Sequence, residues 1–231
     1  MVAPRPVIVS TAPVTLVGGG PVAAEALAAA LALAPRLFAA DGGADRALAL
    51  GHRPEAVIGD MDSLSEPARA ALAGRLVEVP EQETTDFDKA LRLISAPLVI
   101  GLGLRGGRLD HELAGLSVLA AHPERPCLLV GEEDLACLCP PELAPDLPAG
   151  MDLSLFPLTP CRCESEGLLW PTEGLFFEMG GRIGTSNEVA GQVRLRPDAP
   201  GMLLILPLEA LGALVRALVA APAWPPAAPA R

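Results

Sequence analysis

"AVIGDMDS", Ala56 to Ser63, rises through an apolar run to a glycine and then sets two aspartates one residue apart. Asp suits neither strand nor helix. The pattern is therefore a buried strand that delivers acidic groups to its C-terminal end. In an extended segment residues two apart point the same way, about 6 to 7 Å apart along the chain. Two carboxylates brought to about 5 Å repel by about 3 kcal/mol at an effective dielectric of 20. A divalent cation turns that repulsion into attraction, and Mg2+ commonly takes one or two carboxylates together with phosphate oxygens. A solvated turn is the other reading, with "DS" capping a helix over "LSEPARAALAG". Both stay open on these residues alone.

The same rhythm extends on either side. "PVTLVGGG" (Pro13 to Gly20), "RLFAADGGA" (Arg36 to Ala44), "RLVEVP" (Arg75 to Pro80) and "PLVIGLGLRGG" (Pro97 to Gly107) are further strands, three of them ending in glycine turns. Helices are predicted over Val22 to Leu33, over Thr85 to Ile94 and from near Asp110, and "GGGP" and "DGGAD" each open onto a helix. Alternating strands and helices imply crossovers and a parallel sheet. Beyond about residue 122 the texture changes. Short segments such as "CLLVGEE", "MDLSLFPL", "QVRLRP" and "MLLILPL" are punctuated by Pro and Gly, with little helix between them. The expected organisation is an N-terminal parallel-sheet α/β (Rossmann-like) domain over residues 1–122 and a C-terminal antiparallel β-sandwich over 126–220. A Pro/Ala tail over 221–231 is expected to be disordered.

Composition narrows the function. The 231 residues are 51% hydrophobic with a formal net charge of -11, so a broad attraction to nucleic acid or an anionic membrane is excluded. Mean hydropathy is +0.40, yet the longest apolar stretches are interrupted by Glu25 or are too short to span a bilayer. Prolines break the N-terminal segment, and no signal peptide is expected. The location expected is cytoplasmic. Cys127, Cys137, Cys139, Cys161 and Cys163 include two C-x-C pairs. Zinc sites favour C-x2-C, whereas cysteines two apart share one face of a strand as small core residues, which is the reading adopted.

Of the 17 basic residues only Lys89 is a lysine, as if a compact ammonium were required there. "EQETTDFDKALRLI" puts Asp86 and Lys89 one helical turn apart on one face, with Asp86 at the helix start. "GLRGGRLDHELAG" puts Asp110 after a glycine turn, two residues past Arg108. Each acid also reads as a helix cap. Together Asp60, Asp62, Asp86 and Asp110 collect at strand ends, where open α/β sheets bind ligands. That set, with a lysine and an arginine, suits a polyphosphate and Mg2+. Gly42 and Gly43 lie in a turn whose N–H groups can face an anion, although no Walker pattern or complete G-x-G-x-x-G is present.

The ordered set "ADGGADRAL", "PEAVIGDMDS", "EQETTDFDKAL", "GGRLDHELA" and "GTSNEVAG" resembles the thiamine pyrophosphokinase (thiamine diphosphokinase) family from about Leu16 to Leu208. The resemblance implies an α/β domain followed by a β-sandwich, a homodimer, and transfer of the diphosphoryl group of ATP to the hydroxyl of thiamine, giving thiamine diphosphate and AMP. It implies that Asp60, Asp62, Asp86 and Asp110 organise Mg2+ and the polyphosphate. Gln82, Thr85, Lys89 and Arg108 would hold phosphates or place the acceptor. Ser186 and Asn187 would bind thiamine across the dimer interface. Trp170 either stacks on thiamine or belongs to the sandwich core. Asp86 and Asp110 are the two candidates for the group that accepts the alcohol's proton. The sequence departs from the family pattern at Asp45, where Asn is usual, and at Glu81 and Glu83, where Asp is usual. These changes bear on nucleotide affinity more than on the reaction. A diphosphokinase for another alcohol, such as a hydroxymethylpterin, would use the same α/β half. A non-catalytic nucleotide- or thiamine-binding regulator would not need all four aspartates.

Overall fold

The structure is a computed structural model that describes residues 7–226. The last five residues of the expected tail, 227–231, lie outside the described residues. Two compact units divide the chain. One comprises the residues up to Val118 with Leu129–Glu132, the other Leu119–Leu128 with Glu133 onward. A large sheet and interleaved helices make this a mixed α/β protein.

In the first unit the elements run β1 (Ile8–Val9), β2 (Val14–Val17), α1 (Ala24–Leu33), β3 (Arg36–Ala40), α2 (Gly43–Ala49), β4 (Ala56–Gly59), α3 (Glu66–Ala71), β5 (Leu76–Glu78), α4 (Asp86–Leu93), β6 (Ile94–Ser95), β7 (Val99–Leu102) and α5 (Leu109–Ala121). Strands β7, β2, β3, β4 and β5 lie side by side in that order, all parallel, with Leu16 level with Phe38 and Ala40 level with Ile58. All four residues of β2 and of β7 are buried, as expected where helices cover both faces of a parallel sheet. One core cluster packs Ala39 and Val57 against Ala44, Met61, Leu64, Ala68 and Leu72. It therefore ties β3 and β4 to α2, to α3 and to the acidic turn between β4 and α3. The small β1–β6 pair, also parallel, was not foreseen from the sequence.

Strand β8 (Cys127–Val130) contains the boundary between the units. The second unit continues with β9 (Asp134–Leu138), β10 (Asp152–Pro157), β11 (Cys161–Leu168), β12 (Phe176–Phe177), β13 (Gly184–Pro197), β14 (Met202–Pro207) and α6 (Leu211–Ala220). Neighbouring strands pair antiparallel in the order β9, β14, β10, β13, β11, β12. Strand β13 serves two partners, β10 near its start and β11 over the rest. Buried residues alternate along β10, as in a sheet with one face toward a core. Helix α6 escaped the sequence reading because it follows the apolar run "MLLILPL" without a change of texture. Beyond α6, the Trp224 indole N–H donates to the Cys139 carbonyl at 3.0 Å. All five cysteines are free and buried. Burial pushes the thiols of Cys137 and Cys163 up to about 12 and that of Cys161 up to about 11, which suits packing rather than metal binding. Among the described residues no helix is long and apolar enough to cross a membrane.

Candidate active site

Strands β3 and β4 end side by side, each in an acid. Asp41 follows β3 with φ +41°, and Met61, between Asp60 and Asp62, has φ +67°. The extended geometry expected across Asp60–Asp62 thus stops at Gly59. Beyond it the chain turns back, and the Asp62 N–H donates to Asp60 Oδ1 at 3.2 Å. A side chain at Gly59 would meet Asp41 Cβ at 2.8 Å and Asp86 Oδ1 at 3.0 Å, so glycine is what allows these acids to converge. Gly43 is constrained in the same way, since a Cβ there would strike the Val17 carbonyl of β2. Glycine in "DGGAD" therefore lets α2 pack against the sheet.

Helix α4 brings the third acid. Thr85 caps it by accepting from the Asp88 N–H at 3.2 Å, which fixes Asp86 in the first turn. Asp41, Asp60 and Asp86 each offer an oxygen, and these three oxygens lie within 4.8 Å of one another. Among the described residues this is the only such grouping of metal-type ligands. Lys89, only 1% exposed, reaches Asp60 Oδ2 at 2.7 Å and Asp86 Oδ1 at 3.1 Å. Gln82 Nε2 donates to the same Asp60 oxygen at 2.9 Å. Lys89 and Gln82 hold the Asp60 carboxyl below its ordinary range, Lys89 contributing most. Burial draws the Lys89 ammonium down, but its two carboxylate partners raise it further, so it is firmly charged.

Asp41 is the exception. It is 2% exposed and its carboxyl is pushed up to about 6, first by burial, with Asp86 and Asp60 adding to the rise and the Ser63 N–H opposing it. Its Oδ2 accepts from that N–H at 3.0 Å, while Oδ1 is buried and accepts no hydrogen bond. When all three acids are ionised, one ammonium leaves them with two excess negative charges. Three converging hard oxygens from three acids with a net charge of minus two, one of the acids also carrying a buried oxygen without a hydrogen bond, fit a small divalent cation.

Asp60, Asp86, Lys89 and Gln82 are thus brought together. Asp62 is exposed, with Oδ1 accepting from its neighbour Ser63 at 2.9 Å, and lies beside Asp41. Asp110 and Arg108 form an exposed two-pronged ion pair, with contacts of 3.1 and 2.5 Å, outside the converging group. Asp41 was quoted in a motif but not singled out as a ligand. Its signal was its place, an acid directly after an apolar run, just as Asp60 follows Gly59. The departures are structural here. Asp45 accepts from the Ser65 N–H at 3.1 Å and from its hydroxyl, tying α2 to the start of α3. Glu81 accepts from the Glu83 and Thr84 N–H groups at 2.8 and 3.0 Å and pairs with Arg92 at 2.8 Å, folding the loop that carries Gln82.

In the second unit, Ser186 has φ +61° and Asn187 is 6% exposed. The Trp170 indole is not core, because the residue is 57% exposed.

A family model described as thiamin pyrophosphokinase, catalytic domain, matches residues 28–129, and one described as thiamin pyrophosphokinase, vitamin B1 binding domain, matches residues 142–200. The chain is 30% identical over 185 residues to thiamine pyrophosphokinase 1 of Arabidopsis thaliana, covering 65% of this chain and 69% of that relative. It is 29% identical over 162 residues to thiamine pyrophosphokinase 2 of the same plant, covering 62% and 61%. Among solved structures, thiamin pyrophosphokinase from Candida albicans superposes with a TM-score of 0.73 at 16% identity over 85% of this chain and 89% of that one. The Bacillus subtilis protein does so at 0.68 and 21% identity, over 84% and 98%. At those identities the structures establish a shared fold.

Proposed function

We infer the reaction of this chain from the family to which it belongs, the thiamin pyrophosphokinases. It is an ATP-dependent thiamine diphosphokinase, which transfers the diphosphoryl group of ATP to the hydroxyl of thiamine and releases thiamine diphosphate and AMP. The observation that carries the chemistry is the cluster of Asp41, Asp60 and Asp86 at the ends of β3 and β4 and the start of α4, with Lys89 paired to Asp60 and Asp86.

In this reading Asp41, Asp60 and Asp86 hold Mg2+, with Asp62 beside them and Asp110 on the polyphosphate path. The cation supplies charge neutralisation for the phosphates. Lys89 fixes the directions of Asp60 and Asp86 and carries a positive charge toward the bound polyphosphate. Gln82 and Thr85 align the loop against it, and the Gly42–Gly43 turn lets main chain approach. Arg108 offers an exposed guanidinium for a phosphate, which favours AMP as a leaving group. Asp86 or Asp110 accepts the alcohol's proton as the hydroxyl oxygen attacks the β-phosphorus in line. The protein's contribution is mainly position and charge.

The domain assignment follows the same reading. Residues 1–122 form a Rossmann-like catalytic domain and 126–220 a thiamine-binding β-sandwich. The extents of the two family models and the alternating burial along β10 support it. Ser186, Asn187 and Trp170 serve thiamine, and the working form is a cytoplasmic homodimer. The vitamin B1-binding match weighs against a pterin alcohol as acceptor. The test mixes protein, ATP and Mg2+ with thiamine or a hydroxymethylpterin and follows AMP and the diphosphate ester. Thiamine alone should yield both products. ADP in place of AMP, or turnover only with the pterin, would refute the reading.

A further inference from the structure

Strand β13 carries an irregularity next to β10. Leu153 is level with Asn187, but Leu155 is level with Gly184. Two steps on β10 therefore match three on β13, which is one extra residue and marks a bulge. Ser186 takes the left-handed conformation there, and its N–H donates to Ser154 Oγ at 2.9 Å. A serine in that conformation is strained, and such strain gathers where a side chain must be aimed. The side chain aimed is that of Asn187, and it is buried.

Its partners are main chain. Asn187 Nδ2 donates to the Trp170 carbonyl at 2.7 Å, and Oδ1 accepts from the Trp170 N–H at 3.1 Å and from the Glu188 N–H at 2.8 Å. The two Trp170 bonds fix which end of the carboxamide is oxygen. A carboxamide has two acceptor sites and two N–H donors. Both acceptor sites and one donor are spent inside the protein. The segment is pinned again two residues on, where the Thr172 N–H donates to Ser165 Oγ at 3.0 Å and its hydroxyl to the Cys163 carbonyl. Holding both polar groups of the Trp170 main chain fixes the direction in which its side chain leaves the backbone, and the indole beyond it is exposed.

We propose that Asn187 is a positioning residue: its grip on the Trp170 main chain fixes the indole as the platform for the substrate's cationic heteroaromatic ring. This rests on the reaction proposed above. Aromatic stacking with a cation on the ring face accounts for the affinity, and Asn187 supplies it through Trp170.

The chain has two tryptophans, so Trp224→Phe leaves Trp170 as the sole indole reporter. In that background, thiamine should quench Trp170 emission, and Asn187→Ala should weaken the quench and raise acrylamide access to the indole. By steady-state AMP release, Asn187→Ala should raise the KM for thiamine about tenfold, equal to about 1.4 kcal/mol, with kcat within about threefold. Trp170→Leu, at an exposed position, should do the same. The double variant should be little worse than Trp170→Leu alone, because a positioning residue has nothing left to position. An equal further loss on the Trp170→Leu background, with emission unchanged in Asn187→Ala, would overturn the proposal and make Asn187 a direct ligand. If Asn187→Ala fails to fold by circular dichroism, Asn187→Asp replaces it. Aspartate keeps the acceptors but sets a charge against the Trp170 carbonyl, so the same KM rise and non-additivity are expected, and their absence overturns the proposal. A wild type that releases no AMP with thiamine would overturn the reaction itself, and with it the ring that the platform serves.

Discussion

Replacing Asp41 by Asn should stabilise the metal-free protein while abolishing turnover. The carboxyl is buried, has one oxygen without a hydrogen bond, and is pushed from 3.8 to about 6. Its ionised form is therefore disfavoured by folding. At about 1.4 kcal/mol per pH unit, the gap costs the folded state up to about 3 kcal/mol at neutral pH. The sign follows from linkage. For an acid whose folded pKa is raised, the cost is absent below about pH 4, grows between about pH 4 and 6, and is complete above about pH 7. Asn keeps an acceptor for the Ser63 N–H and turns a donor toward Asp60 and Asp86. Urea unfolding followed by circular dichroism in EDTA should show Asp41→Asn more stable than wild type by about 2 to 3 kcal/mol at pH 8, with the gap closing toward pH 4. Saturating Mg2+ should stabilise wild type by about 2.7 kcal/mol at a hundredfold excess over Kd and leave the variant unmoved. A variant less stable than wild type at pH 8 in EDTA would refute the reasoning, because Asp41's charge would then carry no net folding cost.

Lys89→Met leaves Asp60 and Asp86 without their ammonium, and the metal-free protein should lose about 3 to 5 kcal/mol by urea titration. Lys89→Arg should fold but turn over far more slowly, since a planar fork does not fit where a compact ammonium bridges two carboxylates. Wild-type rates from that variant would make the lone lysine incidental. Thr85→Ala removes the α4 cap and should cost about 1 kcal/mol, visible as a fall of about 2 to 4 °C in Tm. An unchanged Tm would show that the cap bond carries no stability. Asp62→Asn should keep the fold and lower Mg2+-dependent turnover, which unaltered activity would contradict.

The parallel unit was legible because its strands are unbroken apolar runs that stop at glycine or acid, and both signals are local. Asp60, Asp86 and Lys89 were legible for the same reason, together with the helical spacing of the last two. Asp41 was harder to see, because its role comes from β3 lying level with β4, a pairing that no single stretch of sequence states. Asn187 shows a different limit. The family resemblance points to "TSN", but the Asn187 carboxamide meets Trp170 beside a register shift between strands more than 30 residues apart. Helix α6 was missed because an apolar helix following an apolar strand gives no change of texture at the join.

Reactive chemistry is distributed unevenly between the units. The one lysine, Lys89, lies in the first and is sealed from solvent, while all five thiols lie in the second and are equally sealed. An amine reagent reaches Lys89 only when the chain around it opens, and a thiol reagent reaches the cysteines only when their surroundings do. The native chain therefore carries two kinds of internal chemical reporter, one in each unit. Timed exposure to both reagents, read by mass spectrometry, would compare the openings that expose Lys89 with those that expose the thiols in the same tube, without an engineered label.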